Sequence, residues 1–158
     1  MARWQDVVDE EPAFAAEVRT VFDAHKHKTI ATLRRDGSPR LSGLEVEFVG
    51  GEATFGMMPA SRKAADLRRD PRTEIHSASV IEEGEEHSWA GDARISGRAR
   101  EVTDPEERKQ YTAAPPEAHS LFALDIERLV RIKVEGKPPH LLVQTWRPGR
   151  PLERAFAD

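Results

Sequence analysis

Behind Pro12, the residues Phe14, Val18, Val21 and Phe22 recur at intervals of four, three and one, which puts all four on one helical stripe. The spacing predicts an amphipathic helix from about Glu11 to Ala24, with Asp9 to Glu11 placed at its positive end. The pattern then changes. Thr29 to Leu33 is β-branched and apolar, and Arg35-Asp36-Gly37-Ser38 supplies turn chemistry before a second extended stretch from Pro39 to Val49. Gly50-Gly51 separates that stretch from Glu52 to Met57, the spacing of another tight reversal. Three contiguous antiparallel strands are expected.

A short helix from Arg62 to Arg69 follows Ser61 and stops at Asp70-Pro71, because the residue before a proline resists the helical region. Thr73 to Val80 reads as a fourth strand, Ile81 to His87 as an acidic loop, and Trp89 to Val102 as a long strand that bends at Gly91 and Gly97. Thr103 and Glu106 have capping-box spacing with Pro105 between them, which predicts a helix over Pro105 to Thr112, ended by Pro115-Pro116. Leu129 to Val134 alternates, Gly136 to Pro139 turns, and Leu141 to Trp146 returns as the last strand. Short turns without repeated crossover helices predict a mainly β, antiparallel barrel of six to seven strands with an N-terminal helix and short connecting helices.

The length of 158 residues is that of one domain spanning 1–158, enough to bury a sizeable core. With 24 Lys and Arg against 28 Asp and Glu, the net charge of -4 gives no global pull toward nucleic acid or an anionic membrane. One Tyr and three Trp supply no aromatic-studded basic face, so neither a nucleic-acid nor a membrane partner is expected. The absence of cysteine excludes disulfides and thiolate chemistry, and with no signal-like or membrane-spanning run the cytoplasm is the expected location. The six histidines have no metal-ligand spacing, and His25 and His27 read as cations at a helix C-terminus. No metal is expected. No Gly-x-Ser-x-Gly elbow is present to support hydrolase chemistry.

The strongest local signal runs from Met57 to Pro71. It sets the hydroxyl of Ser61, the guanidinium of Arg62 and the ammonium of Lys63 just after a strand and at a helix start, where backbone N–H groups already favour an anion. Two cations at that end of a helix destabilise it unless an anion is bound, and the Arg fork and Lys point charge suit phosphate. Asp66 lies three positions after Lys63 and four after Arg62, the spacing of a same-face ion pair.

Thr29 to Leu33, Asp36-Gly37-Ser38-Pro39-Arg40, the Gly50-Gly51 turn and Ser61-Arg62-Lys63-Ala64 through Asp70-Pro71-Arg72 together resemble the split-barrel flavin-binding family typified by pyridoxamine 5'-phosphate oxidase. The resemblance covers residues 25 to 102 and, in outline, the final hairpin. It implies a split β-barrel, a homodimer, and FMN or the deazaflavin coenzyme F-420 in a groove between protomers. By the same resemblance Ser61, Arg62 and Lys63 grip the cofactor phosphate. Arg40, Leu41 and Ser42 lie along the ring and ribityl, Met57 and Met58 flank them, and His76 and Ser77 reach the phosphate side or ring edge. Trp146 resembles an aromatic contributed by the partner protomer, although a core anchor is its other reading.

Asp66 stands where family members commonly carry Asn. Arg150-Pro151-Leu152-Glu153-Arg154 follows Trp146 in place of the Arg-Leu-His run that vitamer-oxidising members use, so the resemblance does not extend to oxidation of pyridoxamine phosphate itself. It implies an FMN-dependent oxidoreductase acting on another small organic substrate. The alternatives are a deazaflavin-dependent reductase, with Arg98 and Arg100 serving a longer acidic tail, or a flavin- or small-molecule-binding protein without turnover.

Overall fold

In the computed structural model, which describes residues 1–79 and 89–157, the predicted stripe forms one helix and a second, shorter helix precedes it. Helix α1 (Trp4–Glu10) buries Trp4 and Val7, and α2 (Pro12–Asp23) buries Phe14, Ala15, Val18, Val21 and Phe22. Glu11 between them is pulled out of the helical region (φ -137°, ψ 69°), as expected of a residue preceding proline, while Pro12 itself suits a first helical turn.

Strand β1 (Lys28–Leu33) and β2 (Pro39–Leu44) form the predicted hairpin, in register from Lys28 opposite Leu44 to Leu33 opposite Pro39. Asp36 closes its tip by accepting hydrogen bonds from the backbone N–H and hydroxyl of Ser38. The stretch expected to run on to Val49 breaks at Glu45-Val46, and β3 (Glu47–Val49) pairs instead with β4 (Glu52–Met57). Leu44 and Val46 on either side of the break are both buried, so the chain turns a corner of the sheet there. Helix α3 (Arg62–Arg69) follows with the predicted bounds, and β5 (Arg72–His76) is shorter than expected. Val80 and the acidic 81–87 stretch lie outside the described residues.

Strand β6 (Asp92–Glu101) pairs with β5 on one side and with β7 (Ser120–Glu135) on the other. Its register shifts at Ser96/Gly97, where a Cβ on Gly97 would lie 2.1 Å from the Asp125 carbonyl oxygen, so the predicted bend needs glycine. Helix α4 (Pro105–Arg108) is one turn, shorter than its predicted span. β7 is far longer than the Leu129–Val134 segment read from alternation. Its first residues pair with β4 and its last seven with β8 (His140–Trp146), so one strand carries both halves of the split sheet. The tail adds β9 (Glu153–Ala157) against β8.

Among the described residues the sheet is thus antiparallel and split-barrel-like, with nine strands in place of six or seven, on a path β2-β1-β5-β6-β7-β4-β3 that does not close. The core lies between it and the two N-terminal helices, around Phe22, Phe55, Phe122, Leu124, Ile126 and Trp146. Phe55 and Phe122 stack at 5.8 Å. Burying each such side chain stabilises the fold by about 1.5–3 kcal/mol. Among the described residues no helix is long and apolar enough to cross a membrane.

Candidate functional site

At the end of β4 the chain leaves the sheet through Met57 and Met58 and enters α3 at Ser61. The Ser61 hydroxyl accepts a hydrogen bond from the Ala64 N–H at 3.2 Å, so it caps the helix. Successive residues of a helical turn point about 100° apart, and that separates the two cations expected to act together. Arg62 faces a concavity of about 460 Å³ between α3 and the β1–β2 hairpin. Lys63 faces a groove of about 740 Å³ between the end of β2, β4 and the segment joining α4 to β7.

The smaller concavity is dominated by arginine. Arg34, Arg35, Arg40, Arg62 and Arg69 line it with Asp36, Ala65 and Asp66. Asp66 is 3 % exposed and pairs with neither Arg62 nor Lys63, contrary to the helical-spacing expectation. It accepts from Arg40 Nε at 2.7 Å, Arg69 Nη2 at 3.0 Å and the Thr32 hydroxyl at 2.9 Å. Burial alone would raise its pKa, but the bonds from Arg40, Arg69 and Thr32 outweigh burial and hold the carboxyl below its ordinary value. The inward face of α3 explains the choice: Ala64, Asp66 and Leu67 are its buried residues, while Arg62 points outward. Among the described residues Arg62 has no carboxylate within 4.0 Å.

The larger groove is mixed. Met57, Phe55 and Leu121 give it an apolar floor, and Lys63, Tyr111, Thr112 and His119 give it polar walls. Lys63 Nζ donates to the Gly43 carbonyl, and burial pushes the ammonium pKa down. Gly56 permits the close approach of His119, since a Cβ there would meet its ring carbon at 2.7 Å. On β2, Leu41 is 70 % exposed, and the buried hydroxyl oxygen of Ser42 has no hydrogen-bond partner among the described residues. Met58 is 77 % exposed beside the groove.

Arg40, Met57, Met58, Ser61, Arg62 and Lys63 are therefore gathered at two adjoining concavities, whereas Leu41 and Ser42 line neither, although they lie on the strand that also supplies Arg40 and Gly43. Three further expected residues also lie away from them. Trp146 is fully buried in the core, with its indole N–H on Glu10 at 3.0 Å, the core-anchor position of its two readings, and it lines neither concavity. Ser77 is buried and its hydroxyl accepts from the Ala93 N–H, tying the end of β5 to β6. His76 sits 2.5 Å from the Ser77 carbonyl and 3.4 Å from Asp92, and lines neither concavity. Arg98 and Arg100, expected to serve an acidic tail, pair with Glu127 and Glu107. Sequence reasoning missed Tyr111 and His119, which flank an aperiodic Pro-rich stretch, and Arg34 and Arg35, whose place at a hairpin turn was their one signal.

Residues 14–133 match the family model described as pyridoxamine 5'-phosphate oxidase. Among solved structures, a pyridoxamine 5'-phosphate oxidase-related, FMN binding protein from Nostoc punctiforme is similar over 100% of this chain and 98% of its own, at 14% identity and a TM-score of 0.63. A heme binding protein from Mycobacterium smegmatis is similar over 89% of this chain and 56% of its own, at 21% identity and a TM-score of 0.58. General stress protein 26 from Bacillus anthracis is similar over 80% and 95%, at 12% identity and a TM-score of 0.56. At these identities the likeness is one of fold. No curated protein sequence matches the chain.

Proposed function

The chain belongs to the pyridoxamine 5'-phosphate oxidase family, and from that premise we propose that it binds FMN as an oxidoreductase acting on a small organic substrate. The observation that carries the reading is the pair of adjoining concavities, one arginine-lined and one amphipathic, set on either side of the start of α3. A ligand with a phosphate at one end and a planar ring at the other matches that division. The Arg62 guanidinium, without a carboxylate among the described residues, and the exposed Met58 each have something to gain from such a ligand.

In this reading Arg62 holds the phosphate, and Arg40, fixed in place by Asp66, offers a second guanidinium. Lys63, anchored on Gly43, presents its ammonium to the ring side. Met57 and Met58, which line the groove, exclude water. When bound, the flavin supplies the redox chemistry, while the chain supplies binding, orientation and electrostatics. The groove of about 740 Å³ is of the size that takes a ring together with a small substrate. Two protomers form the working unit in this proposal, with Leu41 and Met58 covered by the second copy, and a cysteine-free chain is in keeping with a reducing cytoplasm.

The surplus of arginines favours a second reading, in which the deazaflavin coenzyme replaces FMN. The absorption spectrum of the purified protein, with mass spectrometry of what heat releases, tests both. A flavin spectrum and the mass of FMN are expected. A deazaflavin would support the second reading, a heme Soret band would overturn both, and a flavin that no reductant bleaches would leave a carrier without turnover.

A further inference from the structure

Between Val102, just after β6, and Ser120 at the start of β7, the chain makes an excursion that forms one wall of the larger groove. Arg108 on α4 is buried and donates to the Val102 carbonyl at 3.3 Å and to the His119 carbonyl at 3.2 Å, so one guanidinium holds both ends of the excursion. Burying a guanidinium is costly unless its N–H groups are met, and here they are spent on fixing the wall. From α3, Arg68 reaches Glu101 and the Ser120 hydroxyl, which fixes the residue next to His119. On β4, the missing side chain of Gly56 leaves the space that the imidazole occupies.

His119 is thereby held at the apolar floor of the groove, on a different wall from Lys63, which joins the end of β2 through the Gly43 carbonyl. Tyr111 and Thr112 share the wall of His119, and burial, with Glu52 and Glu107 nearby, pushes the Tyr111 phenol up and keeps it protonated. All three side chains donate hydrogen bonds. Glu45 and Glu47 line the groove at the corner between β2 and β3, where they turn a negative group away.

We propose that His119 is the specificity-determining residue of the groove and Arg108 its positioning residue, and that the substrate is a small planar molecule bearing a carboxylate, its ring on the apolar floor and its carboxylate toward His119. The inference names the substrate class of the groove and rests on the flavin reading for the reaction, whereas the binding it describes is measured without a flavin.

Benzoate, benzamide and benzylamine share a ring and differ in the charge of the group it carries. Calorimetric titration of the full chain with each, alongside proton NMR of the imidazole signals, decides the matter, the His119 signal being the one missing from His119→Phe. Benzoate is expected to bind at least roughly tenfold more tightly than the other two and to shift the His119 signal. In His119→Phe, which keeps a planar ring without donors, that advantage should fall to about threefold or less. Gly56→Ala should do the same with Tm little changed, because the atom in its way belongs to a side chain that can swing aside. Arg108→Met should lose the advantage, and Arg108→Lys, which still donates to a carbonyl, should keep part of it. Equal affinities, a His119 signal that stays in place, or an advantage that survives His119→Phe or Gly56→Ala overturns the proposal, and an advantage untouched in Arg108→Met overturns the positioning role. With FMN loaded, benzoate should still bind, and displacement of either by the other overturns the substrate role. These failures leave the flavin reading standing, while a chain that binds benzoate at His119 but no flavin overturns that reading alone.

Discussion

At Asp66 a single buried carboxylate receives Thr32 from β1, Arg40 from β2 and Arg69 from its own helix, so it ties α3 to the hairpin that forms the opposite wall of the arginine-lined concavity. Asp66→Asn removes a charge from this buried knot, and a loss on the order of 2 kcal/mol is expected, or about 4–8 °C in Tm for a chain of this size. The contribution has a pH signature. Because the folded carboxyl titrates below its ordinary value, the stability it adds is complete above that value and is lost as pH falls through the folded one. Chemical denaturation should therefore show wild type ahead of Asp66→Asn by a constant margin from pH 5 to 8, shrinking only below about pH 4. An unchanged Tm at pH 7 would mean that Asp66 holds nothing. The identity of Asp66 as a departure was legible in the sequence, but its partners were not. Helical spacing offers Arg62 and Lys63, whereas the fold brings Arg40 from twenty-six positions away.

Among the elements, those with clear periodicity were legible: α2, the β1–β2 hairpin, β4, α3 and β8 lie where the alternation and turns put them. The misses have physical causes. Ser120 to Leu124 is buried at every position, so it shows no alternation, and the first half of β7 could not be told from a loop or a buried helix. Every residue of β9 is exposed, so no apolar face marks it. α1 is too short, with two buried residues, to show a stripe. Gly97 was legible as a bend, and its close approach to β7 gives a sharp expectation. Gly97→Ala should cost about 1–3 kcal/mol, since the clash is with backbone that must move. Gly43→Ala, whose Cβ meets nothing nearer than 3.9 Å, should cost well under that. Equal denaturation midpoints for the two variants would contradict the register shift in β6.

For the whole molecule, the exposed Leu41 and Met58 beside an open-ended sheet lead to the expectation of a dimer, with light scattering giving twice the 17.7 kDa chain mass and Leu41→Glu/Met58→Glu shifting it to one. A monomer in the wild type with full FMN affinity would sink the two-protomer site. The family was legible from the Ser61-Arg62-Lys63 run and the turns before it, yet in sequence alone the run reads as one grip on one phosphate. The structure divides it between two concavities, because neighbouring helical residues diverge. That division is the central claim, and titrating FMN and riboflavin into Arg62→Ala and Lys63→Ala tests it most directly. Arg62→Ala should weaken FMN about tenfold or more and leave riboflavin nearly unchanged, as loss of one charge-assisted phosphate contact requires. Lys63→Ala should weaken both ligands alike. Equal losses of FMN and riboflavin in Arg62→Ala, or an FMN-selective loss confined to Lys63→Ala, would contradict it.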